Sequence, residues 1–232
     1  MPLIVISHGN GHDYTWYDYL GNHLASHGYV VISHRNDTGP GPVTAAVTTW
    51  HNTEAFISSL PIADGGLLDG EVDTHAIAWI GHSRGGEGVV IAYDDLVEGD
   101  ISPANFTSSD VLLVSSIAPT VFEDPSRAVN PHDVTYHLMA GSFDGDVTGG
   151  VDIDLVQYLR IFQNATGLSA VTYVQGADHN DFNCCGFNDA NWTSGGPGVE
   201  IGRNRAQQAA KSYYLALLEA TFHQQDAMWA YF

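Results

Sequence analysis

The stretch Ile80-Gly81-His82-Ser83-Arg84-Gly85-Gly86 decides the fold of this chain. It follows an apolar run, Ala76 to Ile80, and opens a segment of helix length, Ser83 to Tyr93. G-x-S-x-G between a strand and a helix predicts a tight turn that holds a serine strained and exposed. Gly81 and Gly85 remove side chains that would collide in such a turn. The N-terminus of the helix directs backbone N–H groups towards a negative charge developing beside the serine.

Outward from this turn, apolar runs of strand length alternate with segments of helix length. The predicted strands are Leu3–Ser7, Tyr29–Ser33, Ala76–Ile80, Val111–Ile117, Val134–Ala140 and Val171–Val174. The predicted helices span about 15–27, 43–60, 83–93, 151–163 and 201–223. This alternation is typical of a mostly parallel sheet covered by helices on both faces. No internal repeat or linker interrupts it, so we expect a single domain over residues 1–232.

Composition and charge exclude several classes of protein. The 232 residues are 44% hydrophobic and 11% aromatic, which excludes a disordered chain. Seven basic and 27 acidic residues give a net charge of −20, so phosphate backbones and anionic membranes are poor partners. No apolar run reaches the roughly 18 residues of a membrane span.

Two stretches together resemble the α/β-hydrolase family. They are the serine turn and Ile6-Ser7-His8-Gly9-Asn10-Gly11, which looks like the family's HG loop after a strand. The turn is similar to that of chlorophyllases and, more loosely, of dienelactone hydrolases and platelet-activating-factor acetylhydrolases. The resemblance implies an α/β-hydrolase fold. The family's first two strands are absent and the chain opens on an apolar strand, so we expect a domain cut from a longer protein.

The resemblance also implies a catalytic triad in the order serine, acid, histidine. Ser83 matches the nucleophile, and Gly141-Ser142-Phe143-Asp144-Gly145-Asp146-Val147 looks like the turn that carries the acid. Its spacing maps the acid onto Asp144 rather than Asp146, which is expected to bind turn amides instead. His179 follows the last predicted strand and matches the base. The backbone N–H groups of Asn10 and Arg84 are expected to form the oxyanion hole.

The function that the resemblance implies is hydrolysis of carboxylic esters through an acyl-enzyme, without a cofactor and on a small-molecule or polymeric ester. An acyltransferase, thioesterase or amidase using the same triad is the first alternative. A non-catalytic binding module with a hydrolase fold is the second, and such modules have usually lost a triad member. The span Val121–Pro131 is too short for a separate cap domain, so we expect an open site.

Several other residues are candidates for the site. Trp192, in the loop after His179, and Trp16 are expected to line the substrate pocket, whereas Trp50 is more typical of a core residue. The Arg84 side chain is expected to pair with Glu87 one helical turn on, with a substrate carboxylate as the alternative.

The remaining sequence features have simpler interpretations. His8 is expected to brace backbone and His82 to point into the sheet. Asp144, Asp146, Asp152 and Asp154 lack the spacing of a calcium-binding loop, so we expect no metal. Cys184 and Cys185 are adjacent, and we expect two loop thiols rather than a bridge.

Overall fold

The computed structural model describes residues 1–122, 129–147, 158–189 and 199–232. Its strands form one six-stranded, all-parallel sheet in the order β2-β1-β3-β4-β5-β6. The strands are β1 (Pro2–Ser7), β2 (Val30–His34), β3 (Asp73–His82), β4 (Val111–Ile117), β5 (Thr135–Gly141) and β6 (Ser169–Val174). The predicted α/β class with a parallel sheet is confirmed.

Helices cover both faces of this sheet. They are α1 (Asp18–Ala25), α2 (Pro42–Ser59), α3 (Arg84–Glu98), α4 (Leu159–Asn164) and α5 (Arg203–Phe222). Short 3₁₀ helices lie at Tyr14–Tyr17, Ala63–Gly66, Ser108–Asp110, His179–Phe182 and Asp226–Tyr231. One apolar cluster packs α2, α3 and α4 on one face, and a second packs α1 and α5 on the other. Strands buried between two helical layers read as continuous apolar runs, which is why the sequence revealed them.

The order of the strands determines where a site can form. From β1 the chain crosses to β2 on one side, and later returns to place β3 on the other side of β1. Loops that leave the carboxyl ends of such neighbouring strands diverge and open a crevice. The crevice here lies between the loop after β1, which carries Gly9, and the turn after β3, which carries Ser83.

Some predicted boundaries differ from those of the structure. The segment predicted as one helix from Thr15 is a 3₁₀ turn followed by α1, and the Asp13 carboxylate caps that turn by accepting the Thr15 N–H. Helix α3 continues past Tyr93 to Glu98 and ends at Gly99 in a left-handed conformation (φ 83°). The predicted helix from Val151 begins outside the described residues.

Two structural expectations bear on the surface of the protein. No separate cap domain is visible in the described residues. Among the helices of those same residues, none combines the length and apolarity needed to cross a membrane.

Candidate active site

Ser83 occupies a strained turn between β3 and α3. Its φ of 57° and ψ of −124° lie in a region that residues other than glycine rarely adopt. The surrounding backbone holds it there: its N–H donates to the Ile117 carbonyl at 2.9 Å, and its own carbonyl accepts the N–H groups of Gly86, Glu87 and Thr120. A strained conformation persists only where neighbouring structure imposes it, and this one is typical of a nucleophile elbow.

The glycines around Ser83 are required by close approach of backbone. A Cβ on Gly81 would lie 2.1 Å from the Gly85 carbonyl oxygen, and a Cβ on Gly85 would lie 2.3 Å from that of Ser7. A Cβ on Gly9 would lie 2.9 Å from Cβ of Ser83. The serine turn, the helix after it and the loop after β1 are therefore packed at distances that exclude any side chain.

The loop after β1 is braced by His8. The Asn36 N–H donates to Nε2 of His8 at 2.8 Å, so the proton is on Nδ1, which donates to the Gly9 carbonyl at 2.8 Å. Burial lowers the pKa of His8, which keeps this tautomer neutral. His8 therefore orients the loop rather than transferring protons, as the sequence predicted.

The two residues predicted for the oxyanion hole border the same cleft as Ser83. Arg84 is the first residue of α3, so its N–H is one of the amides without a partner inside the helix. Asn10 lies in the loop after β1, where its side-chain oxygen accepts a hydrogen bond from the Thr38 hydroxyl at 3.1 Å. The arrangement is compatible with an oxygen held between the two backbone N–H groups.

Asp144 and His179 form a buried pair next to the serine turn. Nδ1 of His179 donates to Oδ2 of Asp144 at 2.9 Å, and the two side chains are 1% and 0% exposed. Oδ1 of Asp144 accepts the N–H groups of Asp146 and Val147 at 3.0 and 2.9 Å. The carboxylate is therefore fixed at both oxygens, and it directs Nε2 of His179 away from itself.

The loops that carry this acid and base are joined to each other. A Cβ on Gly141 would lie 2.2 Å from the Ala177 carbonyl oxygen, so the ends of the two loops touch through backbone. The Phe143 N–H donates to that same carbonyl at 2.9 Å, and the Gly176 N–H donates to the Ser142 hydroxyl at 2.8 Å. This contact sets the separation of Asp144 and His179.

Asp146 does not have the role expected from the sequence. The turn amides are bound by Asp144, and Asp146 instead directs Oδ2 to within 3.5 Å of Nε2 of His179. Nε2 makes no hydrogen bond to any described residue, so the bond from the Ser83 hydroxyl is not formed. Such bonds are often long before substrate is bound.

The acids around His179 make it an unusually strong base. Burial alone lowers its pKa, but the charge of Asp144 and its hydrogen bond outweigh burial. The charges of Asp146 and Asp189 act in the same direction, and the pKa rises to about 9. The rings of His82 and His12, which are nearby, stay neutral because burial lowers both pKa values.

Sequence reasoning missed a hydrogen-bonded group beneath the site. The Tyr17 hydroxyl lies between Nδ1 of His12 at 2.8 Å and Nδ1 of His82 at 2.6 Å. Since the hydroxyl has one proton, it donates to one ring and accepts from the other. The His82 ring in turn lies 4.6 Å from the His179 ring. The group connects the loop after β1 to the serine turn, and nothing in the spacing of these residues indicated it.

A second group that the sequence did not reveal consists of buried acids behind His179. Oδ1 of Asp189 accepts the N–H of His179 at 3.2 Å, and Oδ2 of Asp178 accepts the N–H of Asp189 at 3.2 Å. Oδ2 of Asp181 accepts the N–H of Asp178 at 3.2 Å. Burial raises the pKa of Asp189 to about 7 and that of Asp181 to about 6. These carboxylates serve as acceptors for the backbone of the loop that carries the base.

The cleft above Ser83 has a volume of about 450 Å³. Its described walls include Trp16, Phe122 and Phe187, together with Asn10, Arg84, Asp146 and Asn180. Trp16 thus lies at the cleft, stacked on His12 with ring centres 4.9 Å apart, whereas Trp192 lies outside the described residues. Trp50 packs against the core, as the sequence predicted.

The Arg84 side chain and Glu87 have partners that the sequence did not predict. Nη1 of Arg84 donates to the carbonyl oxygens of Thr38 at 2.7 Å and Pro40 at 3.3 Å. Glu87 is fully buried and accepts hydrogen bonds from the Thr120 hydroxyl and the Phe122 N–H. Glu87 therefore points into the structure behind the elbow rather than along the surface of α3.

The expectation of two loop thiols is wrong. Cys184 and Cys185 form a disulfide with each other. Oδ1 of Asn183 accepts the N–H groups of Cys185 and Gly186, and the Cys184 N–H donates to the Trp16 carbonyl. The tight turn that these bonds impose brings the two neighbouring sulfurs together, which their spacing alone did not decide.

Among the described residues, two groups of side chains have atoms of metal-binding type within 4.8 Å of one another. Asp144, His179 and Asp189 are one group, and the hydrogen bond between the first two occupies the ring nitrogen that faces the acid. Asp94, Glu98 and His132 are the other, on and beside α3, and Nε2 of His132 contacts Asp94 at 2.6 Å. Asp152 and Asp154 lie outside the described residues.

Comparison with known proteins addresses the N-terminal quarter of the chain. No curated protein matches the chain significantly. Residues 1–55 match the family model of platelet-activating factor acetylhydrolase, isoform II, and these residues include the loop after β1 and Asn10. The match confirms the resemblance to α/β-hydrolase serine esterases and supports an ester hydrolase. The described chain has a parallel α/β fold, which is consistent with a hydrolase of this type. Over residues 1–55, then, the chain is similar to the platelet-activating factor acetylhydrolases.

Proposed function

We propose that this protein is a serine hydrolase that cleaves carboxylic esters through an acyl-enzyme on Ser83. The observation that carries the proposal is the buried pair of His179 and Asp144, 2.9 Å apart, beside a serine in a strained turn. A nucleophile, a base oriented by an acid, and backbone donors around one cleft are what acyl transfer requires. The similarity of residues 1–55 to an acetylhydrolase family supports esters as the substrates.

In this proposal each residue has one role. Nε2 of His179 accepts the proton of the Ser83 hydroxyl as the oxygen attacks the ester carbonyl, and then protonates the departing alcohol. Asp144 holds the imidazole with its proton on Nδ1 and stabilises the charged ring. The N–H groups of Asn10 and Arg84 bind the oxyanion. Water then attacks the acyl-enzyme in the same way and regenerates Ser83.

The shape of the cleft favours some esters over others. No cap domain covers it in the described residues, and its aromatic walls are partly exposed. An open cleft suits short or bulky acyl groups better than long chains that need a tunnel. The acetyl group in the name of the matching family makes short acyl esters the first substrates to test.

The test compares wild type with Ser83→Ala on p-nitrophenyl acetate and longer homologues. The variant should lose on the order of 10⁵- to 10⁶-fold in kcat, as expected for loss of a serine nucleophile. A fluorophosphonate probe should label wild type at Ser83 alone, because that hydroxyl lines the open cleft beside the pair of His179 and Asp144. Ser212→Ala, on the exposed side of α5, is the matched control and should keep both activity and labelling.

Other outcomes separate the alternatives. A protein that neither turns over any ester nor reacts with the probe is a binding module. Ester turnover that accelerates when an alcohol or amine acceptor is added identifies an acyltransferase. Full activity in Ser83→Ala would end the proposal.

A further inference from the structure

One carboxylate faces the cleft where the departing alcohol would leave. The Asp146 side chain is 49% exposed, and Asp146 lines the same cleft as Ser83. Its Oδ2 lies 3.5 Å from Nε2 of His179, the atom that protonates the alcohol in the proposed mechanism. Any group attached to that alcohol by a short spacer would therefore come close to Asp146.

Among the described residues, no hydrogen bond joins this carboxylate to the turn in which it lies. Asp144 accepts the turn amides, and the contact of Asp146 is with the base. Within the described part of the chain, His179 is the one cationic side chain within 4.0 Å of Asp146. When His179 is neutral, as it must be to accept the serine proton, no cation of the described residues lies within 4.0 Å of the Asp146 carboxylate.

The other charged residue of the described cleft does not neutralise Asp146. Nη1 of Arg84 is bound to the carbonyl oxygens of Thr38 and Pro40, and its guanidinium lies 5.3 Å from the centre of the Phe122 ring. No ion pair joins Arg84 to Asp146 within the described residues.

The rest of the cleft also suits a cation. The rings of Trp16 and Phe187 line it, apart from the Phe122 ring that Arg84 covers, and aromatic faces attract ammonium groups. The net charge of −20 draws cations towards the protein and repels anions. Charge, position and aromatic walls thus favour the same class of leaving group.

Building on the function proposed above, we infer that the preferred substrates are esters of amino alcohols, with Asp146 as the residue that selects the ammonium group. The acyl group is attached to Ser83, and the departing alcohol places its quaternary or protonated nitrogen against Asp146. The ammonium group takes no part in bond making, so it affects binding and the transition state through charge alone.

The test uses two esters of the same acid with choline and with 3,3-dimethylbutanol, which replaces the ammonium nitrogen by carbon. They have the same shape and differ in charge. Wild type should favour the choline ester by about fivefold in kcat/KM at low salt, the size expected of a partly exposed ion pair. In Asp146→Asn the ratio should fall to about one. Raising the salt concentration should reduce the wild-type ratio, because salt screens exposed charges.

Asp69→Asn is the matched control. It removes one negative charge from the exposed loop before β3, at the end of the sheet opposite the cleft, and should leave the ratio as in wild type. Comparing ratios within one variant removes any general effect of Asp146→Asn on the base or on folding.

Three results would overturn the inference. They are equal kcat/KM values for the two esters in wild type, a preference for the neutral ester, and an unchanged ratio in Asp146→Asn. If p-nitrophenyl acetate is still hydrolysed through Ser83 in these cases, the proposed function stands and only the choice of alcohol is wrong. If no ester is hydrolysed at all, both fail.

Discussion

At the scale of single residues, the site depends on which oxygen binds which nitrogen. Asp144 and Asp146 are two residues apart and both lie near His179, yet they face opposite nitrogens of its ring. The buried Asp144 binds Nδ1 and orients the base, whereas the half-exposed Asp146 faces Nε2. The same chemical group therefore has two different environments, set by burial and by position in the turn.

The two acids should respond differently to loss of charge. Asp144→Asn should leave His179 in the wrong tautomer and lower kcat by about 10⁴-fold, the size expected when a serine hydrolase loses the acid that orients its histidine. Asp146→Asn should lower turnover of a neutral ester far less, because Nδ1 keeps its acceptor. Steady-state kinetics of both variants on p-nitrophenyl acetate check this. A more severe loss in Asp146→Asn would transfer the role of the acid to Asp146.

The pH dependence follows from the raised pKa of His179. Only the neutral ring accepts the serine proton, so kcat/KM should increase with pH and level off above about 9. In Asp146→Asn one of the charges that raise this pKa is lost. The rise of kcat/KM with pH should therefore occur at lower pH in the variant. A pH profile of both proteins on a neutral ester measures the shift. A profile that rises near the ordinary histidine pKa of about 6.5 would show that the acids do not raise the pKa of His179.

At the scale of structural elements, the loops after β5 and β6 act as one unit. Gly141 ends β5 directly against the Ala177 carbonyl, and the backbone bonds of Ser142 and Phe143 join the acid's turn to the loop of the base. The distance between acid and base is therefore set by contact between two loops and not by either loop alone.

Gly141→Ala tests this contact. The added Cβ would lie 2.2 Å from the Ala177 oxygen, so the loops must separate. We expect a loss of about 1–3 kcal/mol in the free energy of unfolding and at least a tenfold lower kcat, measured by urea titration and ester hydrolysis. Gly21→Ala is the control, since its Cβ would meet only the Val31 side chain at an ordinary 3.7 Å. Wild-type kcat in Gly141→Ala would show that the loops do not set the acid–base distance.

At the scale of the whole molecule, one sheet carries both apolar clusters. Residues of β1, β3 and β4 contribute alternately to the cluster under α2 and α3 and to the cluster under α1 and α5. Neither cluster can lose its packing without exposing the strands that the other needs. The single domain expected from the sequence is therefore also an expectation about cooperativity.

Thermal unfolding should be a single transition. The calorimetric and van't Hoff enthalpies should agree, and tryptophan fluorescence should change at the same temperature as circular dichroism. Trp79 lies on β3, is fully buried and donates a hydrogen bond to the Thr53 hydroxyl of α2. Its fluorescence therefore reports on the packing of α2 against that face of the sheet. Two separated transitions would show that the chain contains independently folding parts.

The sequence by itself determined the parallel α/β architecture and the backbone of the serine turn. Strands buried on both faces must be apolar throughout, and a turn that excludes side chains must contain glycine at Gly81 and Gly85, so both features are visible in local sequence. The mapping of Asp144 and His179 onto the ends of two later strands came from the resemblance to the α/β-hydrolase family, and the structure brings these residues into contact.

Only the tertiary structure decided which groups surround the base. The direction of Asp146, the bridge of Tyr17 between His12 and His82, and the disulfide of Cys184 and Cys185 were not predicted. Each depends on the approach of segments far apart in the chain, or on the twist of a loop. Spacing along a sequence sets where a side chain starts, but packing against distant elements sets where it points.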